Sequence, residues 1–463
     1  MNPALRARVL GALPYAAIAV TTVVIYTWLV AAQSPKIYFD SSVYLETAAQ
    51  PWSWSQLFYP KPAVVPVVYR VVGGDPHAIV TLQAMLALVA WAALAGSLVA
   101  VLKTRRLRII AVAIASVFVL APTRVGFTHV VLSESITDSL QTLALAAAIL
   151  LATTLGRVGG AASRRARMLA SALFVVVLVW MWTRDTNAIV VLLAVPCVVV
   201  AGHRRLRHAR WLLVPAVLAM ASAACVLWST TVIPPPTQLT VHEAVPPDFT
   251  ARRTYSMFNN LSDSLRDPEA VAFFVERGLP QADELVLLGE QDQQIYLDPK
   301  FTPARQWIAE RASSAYVMWL LRHPIDRVVQ ILGDPWTFLG IYNQRVYMPA
   351  GWTKNTLVLR WIRGLTDTKV VLVLLLLAFP LVLRRSLHRP LSVLALVLVT
   401  TGVIAAAASY YGDSLERARH CYAAGQQVIF GLVLAVLARF GATEPSPSTA
   451  VSSRSPGADA GSS

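Results

Sequence analysis

AIVTLQAMLALVAWAALAGSLVAVL (78–102) carries no charged residue and is followed at once by KTRRLR (103–108). A helix needs about 20 apolar residues to cross the hydrocarbon core of a bilayer, so this pair of segments reads as a membrane span with a basic stop. The pairing recurs along the chain. Apolar stretches lie at 12–32, 78–102, 109–127, 131–155, 168–183, 188–202, 211–232, 368–383, 391–410 and 420–439. Arg6 and Arg8 precede the first, RVGGAASRRAR (157–167) follows the fourth, HRRLRHAR (203–210) the sixth and RRSLHR (384–389) the eighth. The intervening short loops hold few Lys or Arg, and the positive-inside rule then sets ten spans with both termini in the cytoplasm. Val30-Ala31-Ala32 looks like a signal cleavage site, but the apolar run before it is too long for a signal peptide and reads as an uncleaved anchor.

The composition agrees. Of 463 residues, 56% are hydrophobic and only 14% charged, against about a quarter charged in a soluble domain. That excludes a soluble enzyme and a disordered chain. Lys and Arg number 40 against 25 Asp and Glu, a net charge of +15. The excess lies in the short loops, where it sets topology and meets anionic lipid; no nucleic-acid partner is needed. The cysteines Cys197, Cys225 and Cys421 lie in or beside apolar runs, which speaks against a disulfide framework.

The expected fold class is an all-α multi-pass membrane protein. Residues 1–232 form an N-terminal transmembrane module of about seven spans with an interfacial loop at 33–77. Residues 233–367 form a mostly helical extracytoplasmic loop domain, 368–440 the C-terminal transmembrane helices, and 441–463 a disordered cytoplasmic tail rich in Ser and Pro. The loop holds 15 acidic and 13 basic residues and is near neutral. Thr302-Pro303 starts a helix in it, with Trp307, Ile308, Ala312, Ala315, Tyr316, Trp319 and Leu320 on one stripe, and His323-Pro324 starts another. Trp336, Phe338, Tyr342, Tyr347 and Trp352 then lay the end of the loop on the outer membrane surface.

Ionisable groups near membrane depth are costly and mark function by default. Five places stand out, all on the outer side. In YFDSSVYL (38–45), Asp40 is a carboxylate among aromatics, with Tyr44 one turn on; it is either a general base or the N-cap of a short helix. In YPKPAVVPVVYR (59–70), Lys61 lies between Pro60 and Pro62; it suits a lipid phosphate or snorkels as an anchor. In THVVLSESITDSL (128–140), Glu134 and Asp138 are four apart on one helix face, where like charges call for a cation, a hydroxyl-bearing ligand or a metal between them; a helix N-terminus alone would also favour Glu134, less so Asp138 one turn deeper. In TRDTN (183–187), Arg184 and Asp185 pair or cap a turn. In YYGDSLERARHC (410–421), Arg417 and His420 share a face and could hold a phosphate, or Glu416, Arg419 and His420 pair among themselves. The chain has no Walker loop, dinucleotide fingerprint, HExxH or Cys/His metal spacing.

These segments resemble motifs of the GT-C superfamily of integral-membrane glycosyltransferases, particularly bacterial enzymes similar to protein O-mannosyltransferases and lipid A aminoarabinose transferases. The Asp40 segment resembles that family's acidic first-loop motif, YPKPAVVP its Arg/Lys-Pro segment, LSES (132–135) its Ser-Glu motif, and RHPIDRVVQIL (322–332) the helix before its later spans. GDSLERARH (412–420) resembles an end-of-bundle motif of actinobacterial sugar transferases. Val65-Pro66 stands where that family commonly has Tyr-Pro.

The resemblance implies a GT-C-like bundle in a bacterial plasma membrane and an inverting transfer from a polyprenyl-phosphate sugar to a glycan, lipid or protein acceptor. Asp40 would be the base. Lys61, Arg184 and Arg417 or His420 would hold the donor phosphate. Glu134 or Asp138 would orient sugar hydroxyls or hold a divalent cation, and Tyr44 and Asp185 would orient substrate. A flippase for a lipid-linked sugar predicts functional charges in both halves of the bilayer, whereas the candidates here cluster on one side. A non-catalytic scaffold of an envelope-synthesis complex and a ligase of pyrophosphate-linked oligosaccharides stand as the other readings.

Overall fold

The computed structural model describes residues 3–52, 62–156, 163–206, 210–229, 252–288, 298–340, 389–412 and 417–441, with Ile295, Leu376, Phe379, Pro380 and Ser414 besides. The described residues are helical, with no strand among them beyond an isolated bridge between Lys36 and Val130. Lys61, the stretch at 368–383 apart from three residues, and the tail after Gly441 lie outside the described residues.

Helix starts follow local chemistry. The Asp75 carboxylate accepts the Ala78 N–H at 2.8 Å and Pro76 opens α4 (Pro76–Val101); Thr104 caps α5 (Arg105–Val119) and Ser163 caps α8 (Arg164–Met181). Each satisfies an N–H that a helix start leaves without a partner. Pro122 cannot continue α5, and the chain restarts as α6 (Pro122–Thr128), bent by 51°. Among the described residues six helices are long and apolar enough to cross a membrane, or seven if α5 and α6 make one broken span. They are α1 (Pro3–Ala31), α4, α7 (Ser133–Leu155), α10 (Leu213–Ser229, with the turn before it), α18 (Pro390–Gly412) and α19 (Arg417–Gly441). α8 and α9 (Asp185–Leu206) do form where 168–183 and 188–202 are expected to span, but neither qualifies as a span by length and composition. α8 opens on Arg164, Arg165 and Arg167, and α9 contains Pro196.

α7 is the hub. It packs on α4, α8, α18 and α19, and in its first ten residues every side chain is buried, from Ser133 to Thr142. By contrast Val20, Val24 and Trp28 on α1 and Val214, Val217 and Trp228 on α10 stand exposed, as apolar side chains on a lipid-facing helix do.

A second hydrophobic core gathers Phe258, Phe273, Phe274, Trp307, Tyr316 and Trp319. Its helices are α11 (Arg252–Ser264), α12 (Pro268–Glu276), α13 (Ala282–Leu287), α14 (Thr302–Trp307), a π turn (Ile308–Ala312) and α15 (Ser313–Arg322), followed by α16 (Pro324–Gly333) and α17 (Pro335–Phe338). The stripe expected from Trp307 to Trp319 is this core. The chain after α17 then presses on α19. A Cβ at Gly425 would overlap the Leu339 backbone, and Gly340, at φ +66, faces the Tyr422 backbone.

Gly425→Val should therefore force α17 off α19. We expect a loss at or beyond the upper end of the ~1–3 kcal/mol typical of overpacking, read as a lower thermal midpoint by size-exclusion of the detergent-solubilised protein.

Candidate functional site

Five charged or polar side chains from four separate stretches meet where α2 (Phe39–Ala49), α7, α9 and α19 come together. Glu134, one residue into α7, is fully buried. Its Oε1 accepts from Arg419 Nε at 2.7 Å and from Arg184 Nη1 at 3.2 Å. Arg419 Nη2 donates to Asp40 Oδ2 at 2.6 Å. Arg184 Nη2 donates to His420 Nδ1 at 3.1 Å. A guanidinium has no acceptor, so this nitrogen of His420 accepts and the ring proton sits on Nε2. Two carboxylates and two guanidiniums thus neutralise one another in a site largely shut from water. Glu134 Oε2 is buried and takes no hydrogen bond from the described residues. Asp40 is the most open carboxylate, with 27% of its side chain exposed against none for Glu134.

α2 is held in place by local bonds. Tyr38 N–H donates to Ser41 Oγ at 2.9 Å. Tyr44 is buried edge-on against Tyr69 of α3 (Val64–Val71), and the Tyr69 hydroxyl donates to Leu132 O at 2.8 Å, just before α7 begins. Tyr44 therefore wedges α2 against the start of α7; its place is in the packing. Arg70 donates to Ala48 O and Thr47 O and closes the far end of α2. The narrow cavity beside His420, lined by Trp180, Asn187, Ser409 and Gln427 among others, has room for about one water.

Two expected groupings are corrected. Glu134 and Asp138 do not share a ligand. α7 is buried all round at this level, so its turns meet different neighbours, and Asp138 pairs instead with Arg124 of α6, at 2.5 Å to Nε and 2.6 Å to Nη2. Both carboxylates are engaged by arginine, and no group of three or more His, Cys, Asp or Glu able to hold a metal exists among the described residues; a divalent ion does not fit here. Arg417 turns away from the cluster to bond Asp263 of α11, with its guanidinium 5.0 Å from the Tyr410 ring. Asp185, the first residue of α9, accepts the Thr186 N–H at 3.2 Å.

Two arginines were not singled out as site residues by sequence reasoning. Arg419 is the pivot between Asp40 and Glu134. Arg124 is a lone charge inside the 109–127 stretch, and that isolation was the available signal. Comparison with family models, with curated proteins and with solved structures finds no match.

The Arg124–Asp138 pair makes a sharp prediction. Losing one partner of a buried pair typically costs about 3–5 kcal/mol, while replacing both by apolar groups is often neutral. Asp138→Leu should lower thermal stability strongly, and Arg124→Met with Asp138→Leu should recover most of it. No recovery in the double variant would contradict a simple pair. A second prediction concerns His129, buried after α6, whose pKa falls to about 4 through burial, helped by the Lys36 charge. The folded state holds this ring neutral while the unfolded chain protonates it near pH 6.5. Stability should fall as pH drops from about 6.5 towards 4, and His129→Phe should flatten that slope in melting curves.

Proposed function

We propose that this chain is a membrane glycosyltransferase that moves a sugar from a polyprenyl-phosphate donor to a cell-envelope acceptor, on the outer face of a bacterial plasma membrane. The observation that carries the reading is the meeting of Asp40, Glu134, Arg184, Arg419 and His420 in one buried cluster at the ends of long apolar helices. Three of the short motifs that resemble GT-C enzymes supply four of the five. The alternation of basic loops supports cytoplasmic termini and an extracytoplasmic loop domain.

In this reading Asp40 is the base, because it is the carboxylate that an acceptor can reach. Its carboxylate takes the proton of the acceptor hydroxyl as that oxygen bonds the anomeric carbon. The bond from that carbon to the phosphate oxygen breaks, and its electrons leave with the lipid phosphate. Such a leaving group needs cations rather than an acid, and Lys61, Arg184 and Arg419 are the candidates. Arg419 also fixes the aim of Asp40, and Glu134 holds Arg419 and Arg184 in place. The single displacement inverts the anomeric carbon.

One feature favours a second reading. The mutual neutralisation of the cluster is also what a non-catalytic scaffold would use to lock its helices. Transfer by purified protein in nanodiscs separates the two, with labelled polyprenyl-phosphate sugars as donors and an envelope extract as acceptor. Wild type should move label, and Asp40→Asn should bind donor yet lose roughly 10²–10⁴-fold in rate. If wild type binds donors and moves none, scaffolding or transport is the better account. Equal rates would remove Asp40 from the role of base.

A further inference from the structure

α15 and α16 carry a surface that the charged cluster does not use. Val317, Leu321, Ile325, Val328, Val329 and Leu332 are all at least half exposed, with Ile325 at 75%. Positions 325, 328, 329 and 332 repeat at three and four residues on α16, and 317 and 321 at four on α15, so each helix carries an aliphatic stripe on either side of the break at His323-Pro324. No residue of α16 is buried. A contiguous aliphatic face of this length is rare on a surface bathed in water.

Its place in the fold says what covers it. The Tyr411 hydroxyl donates to Arg327 O at 2.7 Å, tying α16 to the last turn of α18, a helix of membrane-spanning length. α17, directly after α16, packs on α18 and α19. The stripe therefore sits at the level where a span leaves the bilayer, beyond the last turn of α18. Exposed Arg322 and half-buried Arg327 flank it, as cations do on helices that meet lipid phosphates.

We propose that α16, with the end of α15, is an interfacial helix whose apolar stripe is immersed in the phospholipid leaflet at which α18 ends. Its depth is roughly 5–10 Å, at the boundary of headgroups and acyl chains. This anchors the second core to the membrane independently of the Arg417–Asp263 contact, and it holds whatever reaction the charged cluster performs.

The test uses the full chain in nanodiscs, with Cys197 and Cys225 replaced by Ala, the buried Cys421 kept, and one bimane-labelled cysteine introduced at Val328, at Leu332 or, as a polar-face control, at Asp326. Each variant is first shown to be monodisperse. Phospholipids brominated on their acyl chains should quench the Val328 and Leu332 probes, and aqueous iodide should not. The Asp326 probe should show the reverse. Iodide quenching of Val328 and Leu332 as strong as that of Asp326 would overturn the proposal. So would protection of both from either quencher, since protein rather than lipid would then cover the stripe.

Discussion

A carboxylate with no exposure to water has to be neutralised where it stands, and Glu134 is neutralised by two arginines that lie 50 and 285 residues further along the chain. In a low-dielectric interior an ion left alone costs several kcal/mol. The positions of α9 and α19 relative to α7 are thus set by charge as well as by shape. Arg419 then extends the constraint to α2 through Asp40, and Arg184 extends it to His420. Tyr44, Tyr69 and Leu132 supply the packing on which this electrostatic arrangement rests.

The same helix carries a second charge of the same sign a turn further in, and that one is neutralised separately. Asp138 reaches Arg124 because Pro122 breaks α5 and tips α6 by 51°. An unbroken span would carry Arg124 on a different course. The broken helix and the buried pair are therefore one device, and together they separate the two carboxylates of α7 that a metal or sugar would otherwise bring into one site.

Much of this was legible in the residues. The stretches 78–102, 131–155, 391–410 and 420–439 correspond to α4, α7, α18 and α19, because a long uncharged apolar run has few alternatives to a helix. Asp40, Glu134, Arg184 and His420 were also legible, since charge beside a span is expensive wherever it points. What spacing cannot give is the direction of a helix face. Arg417 and His420 share a face by periodicity, yet Arg419, between them, turns to the cluster and Arg417 turns to Asp263. Glu134 and Asp138 also share a face, but α7 has neighbours on every side, so one face meets different partners at successive turns. That depends on contacts between distant segments, which local pattern does not encode.

The distance along the chain between Glu134 and Arg419 is 285 residues. Ribosomes elongate at about 5–20 residues per second, so the acid enters the membrane roughly a quarter of a minute to a minute before its principal counterion exists. During that interval Arg184, only 50 residues on, is the one of its two arginine partners that already exists. The final helix is thus a closing piece, and a chain interrupted before Arg419 would leave a membrane-embedded acid without its main partner, a feature by which quality control could recognise it as incomplete.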